Sequence, residues 1–477
     1  MNNELELFFE SFLLNSGEDK LAIIYNDKEY TYKDILKNSF SIIDYLKKNN
    51  LIQGDRLLVS LDNSIEFVFL YFACMFGGFT IIPINKKLPQ KDIDYIKDLT
   101  NPKMYIQSNF TIEEQSNNQD FKLEYNPGQV FSIFFTSGTT SKPKGVCHSV
   151  ENMISNCKAF GELTNLDDRV RILHVLPMGY MAGFLNTILL PLLFGGSAVI
   201  APQFNAGNSV LVWEYAIKYD INTVWLTPTM ANLLARLNRN EDVPKWTGKN
   251  LKNIFVGTAP YPEATKKKFD QTFKVESLES YGMSELLFVS SNIKQNDCPQ
   301  GSAGKILSGV DVKILQPEKI MSNGNEGEIW IKSKYSFIGY LSDNGKSMVN
   351  PMENGWLSSG DYGFLDKNNY LFITGRTKDL IIHGGTNVSP KAIENVLLKY
   401  PDIFDAAVIG KPHSFWGEEV FAFIILNEEN DFDKNALLKY CKENLNEDAV
   451  PSSFKVLDSF PRSSTGKIKK NELRELF

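Results

Sequence analysis

Cysteine is scarce and unpaired in this sequence. The five residues Cys74, Cys147, Cys157, Cys298 and Cys441 form no C-x-x-C spacing, which argues against a disulfide framework or a cysteine zinc site and favours a reducing compartment. A basic surplus is also missing. Lys and Arg total 50 against 57 Asp and Glu, a formal charge of −7 with the signs interspersed. Nucleic acid and anionic membrane surfaces therefore have no electrostatic footprint to meet. The opening MNNELEL is acidic where a signal peptide is basic, so a cytoplasmic location is expected. Low-complexity tracts are absent. One uncharged stretch, Phe67 to Ile84, approaches the length of a membrane span, but Gly77-Gly78 cuts it and Pro83 sits near its end. A buried helix, a tight turn and a strand describe it better. The same grammar returns from Phe184 to Ile200 around Gly195-Gly196, hinting at two similar α/β layers.

What is present is an ordinary globular composition, 43% hydrophobic and 22% charged over 477 residues, enough for two or three domains. The spacing predicts a hairpin at Leu21–Tyr25 and Glu29 onward, a helix over about 32–49 and a strand at Arg56–Ser60. Short apolar strands then alternate with helices to about Ile293, the pattern of parallel sheets covered by helices. A β-rich patch follows around Ile314, Glu328–Lys332 and Tyr370–Ile373. The last hundred residues read as a small α+β unit, with helices at Pro390–Lys399 and Asp433–Asn444 and strands at Ala406–Ile409 and Phe421–Leu426. The polar tetrapeptide Arg376–Asp379 separates two apolar strands and marks the boundary. The expected fold class is α/β: a large domain of parallel sheets over residues 1–375, a hinge at 376–379, and a small mobile α+β domain over 380–477.

The most informative segment is Ser132–Val146, SIFFTSGTTSKPKGV. An apolar strand runs into a loop whose small residues let backbone N–H groups approach an anion, while hydroxyls and Lys142 and Lys144 add donors and charge. It is no Walker loop: counted from Gly138, the second Gly falls on Pro143, and no Gly-Lys-Ser/Thr follows. A kinase-like P-loop protein is thereby set aside.

That string resembles the phosphate loop of the adenylate-forming superfamily, which includes acyl-CoA synthetases, aryl-CoA ligases, luciferases and nonribosomal peptide synthetase adenylation domains. Further motifs resemble the superfamily's in its order: Gly257–Pro260, Ser280–Glu285, Gly327–Trp330, Gly339-Tyr340, Trp356–Asp361, Gly375–Asp379 and Pro461–Lys467. The resemblance covers essentially the whole chain. It implies ATP-dependent conversion of a carboxylic acid to acyl-AMP, then transfer to the thiol of coenzyme A, or to the phosphopantetheine of a separate carrier protein. A nucleotide-binding protein that has lost catalysis is the alternative of another class.

The residues carry over one by one. Thr136, Ser137, Gly138, Thr140 and Lys144 would cradle phosphates, with Thr139 in the catalytic set. Gly257, Thr258 and Ala259 would form a flat wall for adenine, with Tyr281 stacked opposite and Gly282 and Ser284 beside it. Glu285 would hold Mg²⁺. Asp361 would accept from both ribose hydroxyls, and Arg376 would contact the same side. Lys467 would sit between the reacting carboxylate and α-phosphate, two anions whose repulsion an ammonium relieves. Lys378 would be the hinge about which the small domain turns, presenting Gly384, Gly385 and Asn387 to the pantetheine arm.

Two departures qualify the analogy. Tyr180 stands where many members have His, and the adenine-side motif opens Glu279-Ser280 where many ligases have Gln-Gly. No Asp or Glu lies between Asp168 and Glu214, so a substrate ammonium would have no partner. Tyr180, Met181, Ala182, Phe184 and Met283 are expected to line an apolar acyl pocket, although Met and Phe at such spacing also suit a plain core.

Overall fold

The computed structural model describes residues 4–108, 122–125, 128–136, 143–294, 298–316, 326–384, 386–427, 432–462 and 468–476. Three sheets organise them, of seven, thirteen and five strands. The seven-stranded sheet has a parallel part, in spatial order Met104–Ile106, Arg56–Val59, Thr80–Pro83 and Ser132–Thr136. The strand Lys144–His148 turns back antiparallel beside Ser132–Thr136 and is followed by Gly339–Leu341 and Met348–Val349. The thirteen-stranded sheet has a parallel centre of Leu21–Tyr25, Ser197–Ile200, Arg171–His174, Thr223–Leu226, Asn253–Val256 and Leu278–Met283. Antiparallel strands extend it through Leu287–Ser291, Gly304–Ile306, Tyr370–Arg376, Leu357–Leu365, Gly327–Ser333 and Val310–Leu315. The β-rich patch expected from the sequence is this extension.

The uncharged stretch is buried core. The helix Ile65–Gly77 is capped by the Ser64 side chain and ends on Gly78 in the left-handed region (φ 71°). A Cβ on Gly78 would lie 2.3 Å from the Glu124 carbonyl oxygen, so only glycine fits the turn. Gly195 makes the equivalent turn (φ 74°). The strands that follow, Thr80–Pro83 and Ser197–Ile200, lie in different sheets, so the repeated grammar does mark two α/β layers. Among the described residues no helix is long and apolar enough to cross a membrane. The second helical stretch is not continuous: a π-helical turn, Leu185–Leu189, interrupts it.

The reading missed the helix Glu4–Gly17. Its Phe8, Phe9 and Phe12 are buried, and Phe12 meets Tyr32 and Phe72 with ring centroids 4.6 and 5.2 Å apart. Each buried ring contributes about 1.5–3 kcal/mol of transfer free energy, enough to tie the segment to the large core.

The five-stranded sheet comprises Ile381–His383, Thr386–Val388, Ile403–His413, Gly417–Leu426 and Ser453–Val456. It buries apolar clusters of its own, one around Ile381, Ile393, Val408, Ile424 and Leu437, apart from the main core. The tetrapeptide before it contains a single 3₁₀ turn, Thr377–Asp379.

Candidate active site

The residues expected to meet the ribose are set by strand register. Asp361 lies opposite Arg376 on neighbouring antiparallel strands, which puts both side chains on one face. Asp361 is 6% exposed, and both its oxygens are engaged. Arg376 Nε donates to Oδ1 at 3.1 Å, and the Tyr281 hydroxyl donates to Oδ2 at 2.6 Å. Burial, then the Asp361 charge, raises the Tyr281 phenol well above its ordinary value, so it remains a donor. Tyr281 thus reaches Asp361, the carboxylate expected to meet the ribose, a contact beyond the stacking role expected of it.

The wall Gly257–Ala259 follows the strand Asn253–Val256. A Cβ on Gly257 would sit 2.6 Å from Ser280 Oγ, and one on Gly282 would sit 2.2 Å from the Leu287 carbonyl oxygen. Thr258 holds a positive φ of 73°, unfavourable for a β-branched residue, and its hydroxyl is buried without a partner among the described residues. Strain and an orphaned donor together are typical of a ligand site.

The described residues expected near the phosphates come from two sheets. Thr136 and Lys144 pair across the strands that flank the loop. Ser137, Gly138, Thr139 and Thr140 lie outside the described residues. The Lys144 ammonium lies over the Tyr340 ring, 5.0 Å from its centroid, and the Tyr340 hydroxyl donates to Glu285 Oε1 at 2.6 Å. Burial, then Glu285, raises the Tyr340 phenol. Two further bonds clip the Ser284-Glu285 turn to the phosphate-loop sheet. The Phe337 N–H donates to the Glu285 carbonyl at 2.8 Å, and His148 Nε2–H donates to the Ser284 carbonyl at 2.7 Å. Burial pushes His148 down to about 4, so the ring is neutral and Nδ1 is left without a partner.

Glu285 Oε2 has no partner among the described residues, and no cluster of three or more His, Cys, Asp or Glu occurs among them. A single carboxylate with a free oxygen is the kind of protein ligand Mg²⁺ takes together with phosphate oxygens and water.

The acyl side is more packed than expected. Phe184 is fully buried and stacks on Tyr71 with centroids 3.8 Å apart, and the Tyr71 hydroxyl donates to the Met178 carbonyl at 2.8 Å. Met181 and Ala182 are buried and Met283 is partly so. Tyr180 precedes the short helix Met181–Phe184. Its phenol is raised by burial and by the Glu285 charge, which places it within electrostatic reach of the phosphate end.

On the C-terminal side, Lys467, Gly385 and the side chain of Asn387 lie outside the described residues; the Asn387 backbone pairs with Ile382. Gly384 has φ 58°, and a Cβ there would lie 3.0 Å from the Trp416 ring. Burial lowers the Lys378 ammonium. Polar contacts join the C-terminal unit to the rest. Arg462 Nη1 donates to Thr229 Oγ1 at 3.4 Å, next to the end of the strand Thr223–Leu226. Arg236 lies 4.1 Å from the Phe404 ring centroid and donates to the Asn427 carbonyl at 3.3 Å. Lys399 meets Glu263 at 3.0 Å, and Lys391 donates to the Ile373 carbonyl at 2.6 Å.

Sequence reasoning assigned no role to Tyr340 or His148. Gly339-Tyr340 was visible as a motif, but nothing in its spacing signals Glu285, 55 residues away.

The chain matches two family descriptions, "AMP-binding enzyme" over residues 10–341 and "AMP-binding enzyme C-terminal domain" over residues 392–467. It is 27% identical to a 2-succinylbenzoate–CoA ligase of Bacillus pumilus, covering 96% of this chain and 95% of that protein. It is also 27% identical to the long-chain-fatty-acid–CoA ligase FadD13 of Mycobacterium tuberculosis, covering 94% of each. Among solved structures, ATP-bound MatB from Rhodopseudomonas palustris superposes with a TM-score of 0.89 at 25% identity, over 100% of this chain and 99% of that one.

Proposed function

The chain belongs to the AMP-binding enzyme family, as an AMP-forming acid–CoA ligase, and on that premise we propose that its acid carries an uncharged apolar or aryl chain. A carboxylate oxygen of the acid attacks the α-phosphorus of ATP, and the bond to the departing pyrophosphate breaks. The sulfur of CoA then attacks the acyl carbon, its proton is lost, and AMP leaves. The observation that carries the site is the paired arrangement of Asp361 with Tyr281 and Arg376, and of Glu285 with Tyr340 beside Lys144.

Asp361 and Arg376 hold the ribose, and Gly257–Ala259 offers backbone to the adenine. Thr136 to Thr140 and Lys144 receive the phosphates. When bound, Mg²⁺ would offset the charge of the phosphates, and Glu285 would hold it. Lys467 lies between the two reacting anions during the first step. Rotation about Lys378 withdraws it and brings Gly384, Gly385 and Asn387 towards the thiol. The large and small domains, divided at 376–379, alternate between these arrangements. The preference for an uncharged chain rests on the absence of any carboxylate between Asp168 and Glu214 and on the apolar setting of Met181, Ala182 and Met283. CoA is the acceptor favoured by the CoA-ligase relatives.

The test is pyrophosphate release over a panel of acids, with and without CoA. Fatty or aryl acids are expected to release it and zwitterionic α-amino acids are not; release with an amino acid but not with its deaminated analogue would reverse the assignment. Assaying each half-reaction alone in Lys467→Ala tests the two-step scheme. Acyl-AMP formation should be lost while thioester formation from supplied acyl-AMP persists, and equal loss of both in a folded variant would overturn it.

A further inference from the structure

We propose that Tyr340 is a positioning residue for the metal, fixing the Glu285 carboxylate with its hydroxyl and the Lys144 ammonium with its ring. The inference rests on the reading of Glu285 as the Mg²⁺ carboxylate. Tyr340 sits on the strand Gly339–Leu341 and pairs with Val146, on the strand that leaves the phosphate loop. From that one position it reaches two groups of opposite charge. Its hydroxyl donates to Glu285 Oε1 at 2.6 Å, and its face lies under Lys144 Nζ at 5.0 Å.

The consequence for the carboxylate is geometric. A phenol has one proton to give, and here it goes to a charged acceptor, which makes the bond strong and directional. Oε1 is thereby occupied, and Oε2, without a partner among the described residues, is the oxygen presented to a metal. The rotamer of Glu285 is held before any metal arrives. The backbone on either side is held as well, by Phe337 N–H on the Glu285 carbonyl and His148 on the Ser284 carbonyl. Phe337 also packs edge-on against the Tyr340 ring, with centroids 5.0 Å apart.

The ring does a different job. Among the described residues Lys144 pairs with no carboxylate, and the face of Tyr340 is its neighbour. A ring face attracts an ammonium without neutralising it, so the charge stays available to phosphate oxygens. A carboxylate in the same place would compete with the nucleotide. One side chain therefore sets the separation between the cation that meets phosphate and the anion that meets the metal.

Tyr340→Phe removes the hydroxyl and leaves the ring, so the two jobs separate. The Mg²⁺ concentration giving half-maximal adenylation is expected to rise about tenfold, the scale for loss of a group that orients a metal ligand. The KM of the acid and thioester formation from supplied acyl-AMP should not change. A readout independent of turnover is the melting temperature. ATP with Mg²⁺ should raise it in the wild type, and the increment due to Mg²⁺ should shrink in Tyr340→Phe. In a Glu285→Gln background, Tyr340→Phe should add no further loss. Tyr340→Leu should raise the KM of ATP beyond the Tyr340→Phe value, because Lys144 loses its ring.

An unchanged Mg²⁺ dependence in Tyr340→Phe, equal losses in both half-reactions, or a full additional loss in Glu285→Gln would each overturn the proposal. A wild-type protein whose melting temperature ignores ATP and Mg²⁺ would instead overturn the reading of the site, and this proposal with it.

Discussion

The two ends of the proposed nucleotide site use the same device on two carboxylates and leave them in different states. At the ribose end, Asp361 takes the Tyr281 hydroxyl on one oxygen and Arg376 on the other, and it is buried. At the phosphate end, Glu285 takes the Tyr340 hydroxyl on one oxygen, and the other has no partner among the described residues. Both tyrosine bonds are 2.6 Å long. The difference matches the ligands assigned to them. Ribose hydroxyls are neutral donors that join a carboxylate already satisfied. A hard cation needs an oxygen with its lone pairs free and its charge undiluted. Among the described residues a guanidinium is present at one end and not at the other, which in the proposed reading would separate a sugar cradle from a metal ligand.

Breaking the metal end should cost most. Glu285→Gln keeps the shape and removes the charge, and adenylation should fall by about a hundredfold, since a charge acting directly on the transferring phosphate contributes several kcal/mol. Added Mg²⁺ should restore little. Near-normal pyrophosphate release in this variant would place the metal elsewhere.

Breaking the ribose end should cost less and appear elsewhere in the kinetics. Asp361→Asn retains one acceptor but turns a donor towards Tyr281 or Arg376. The KM of ATP should rise roughly ten- to thirtyfold, the scale of hydrogen bonds to a charged group, while the Mg²⁺ dependence stays put. A shifted Mg²⁺ midpoint would blur the distinction between the ends.

The two phenols offer a finer comparison. Tyr281→Phe leaves Asp361 held by Arg376, so the KM of ATP should change only about two- to fivefold, the net effect of one hydrogen bond with a second restraint in place. That is smaller than the effect expected of Tyr340→Phe, where no guanidinium remains. Equal effects in the two variants would mean that Arg376 adds no restraint.

A third carboxylate, Glu279, lies on the same strand as Tyr281 and lacks a phenol. Burial raises it to about 7 from an ordinary 4.5, and the charges of Lys391 and Lys266 only partly offset the rise. Between those values the folded chain keeps a proton that the unfolded chain has released. Stability should therefore decline as pH rises from about 4.5 to about 7 and stay level above. Glu279 is partly open to solvent, so its share is roughly 1 kcal/mol. Melting temperatures of wild type and Glu279→Gln across that interval test this; the substitution should flatten the slope, and an unaltered slope would assign the decline to other groups.

Motifs made some of this legible and hid the rest for physical reasons. Glu285, Asp361 and Arg376 stand in strings whose order along the chain is itself the signal. The early hairpin and the helices and strands after it follow from alternation and apolar runs. Glu4–Gly17 was missed although Phe8, Phe9 and Phe12 share a helical face, because its exposed Leu7 and Leu14 blur the stripe. Phe184 shows the opposite difficulty: a phenylalanine suits a pocket wall and a core equally, and only the stacked Tyr71 separates the two. The Tyr340–Glu285 bond joins different sheets, and no periodicity reports a contact of that kind. The positive φ of Thr258 could not be read from the sequence, since a β-branched residue argues against it.

The joint between the C-terminal unit and the rest carries a consequence of its own. Among the described residues it includes a half-exposed ion pair between Lys399 and Glu263, the Arg236 guanidinium against the Phe404 ring, and hydrogen bonds from Arg236, Arg462, Lys391 and Ser389. Pairs like these, half in water, contribute about 0–1 kcal/mol each and weaken as salt rises. In the proposed cycle such a seam would act as a weak detent, with the direction of movement set by which ligands fill the site and ionic strength a handle on the balance between the two half-reactions.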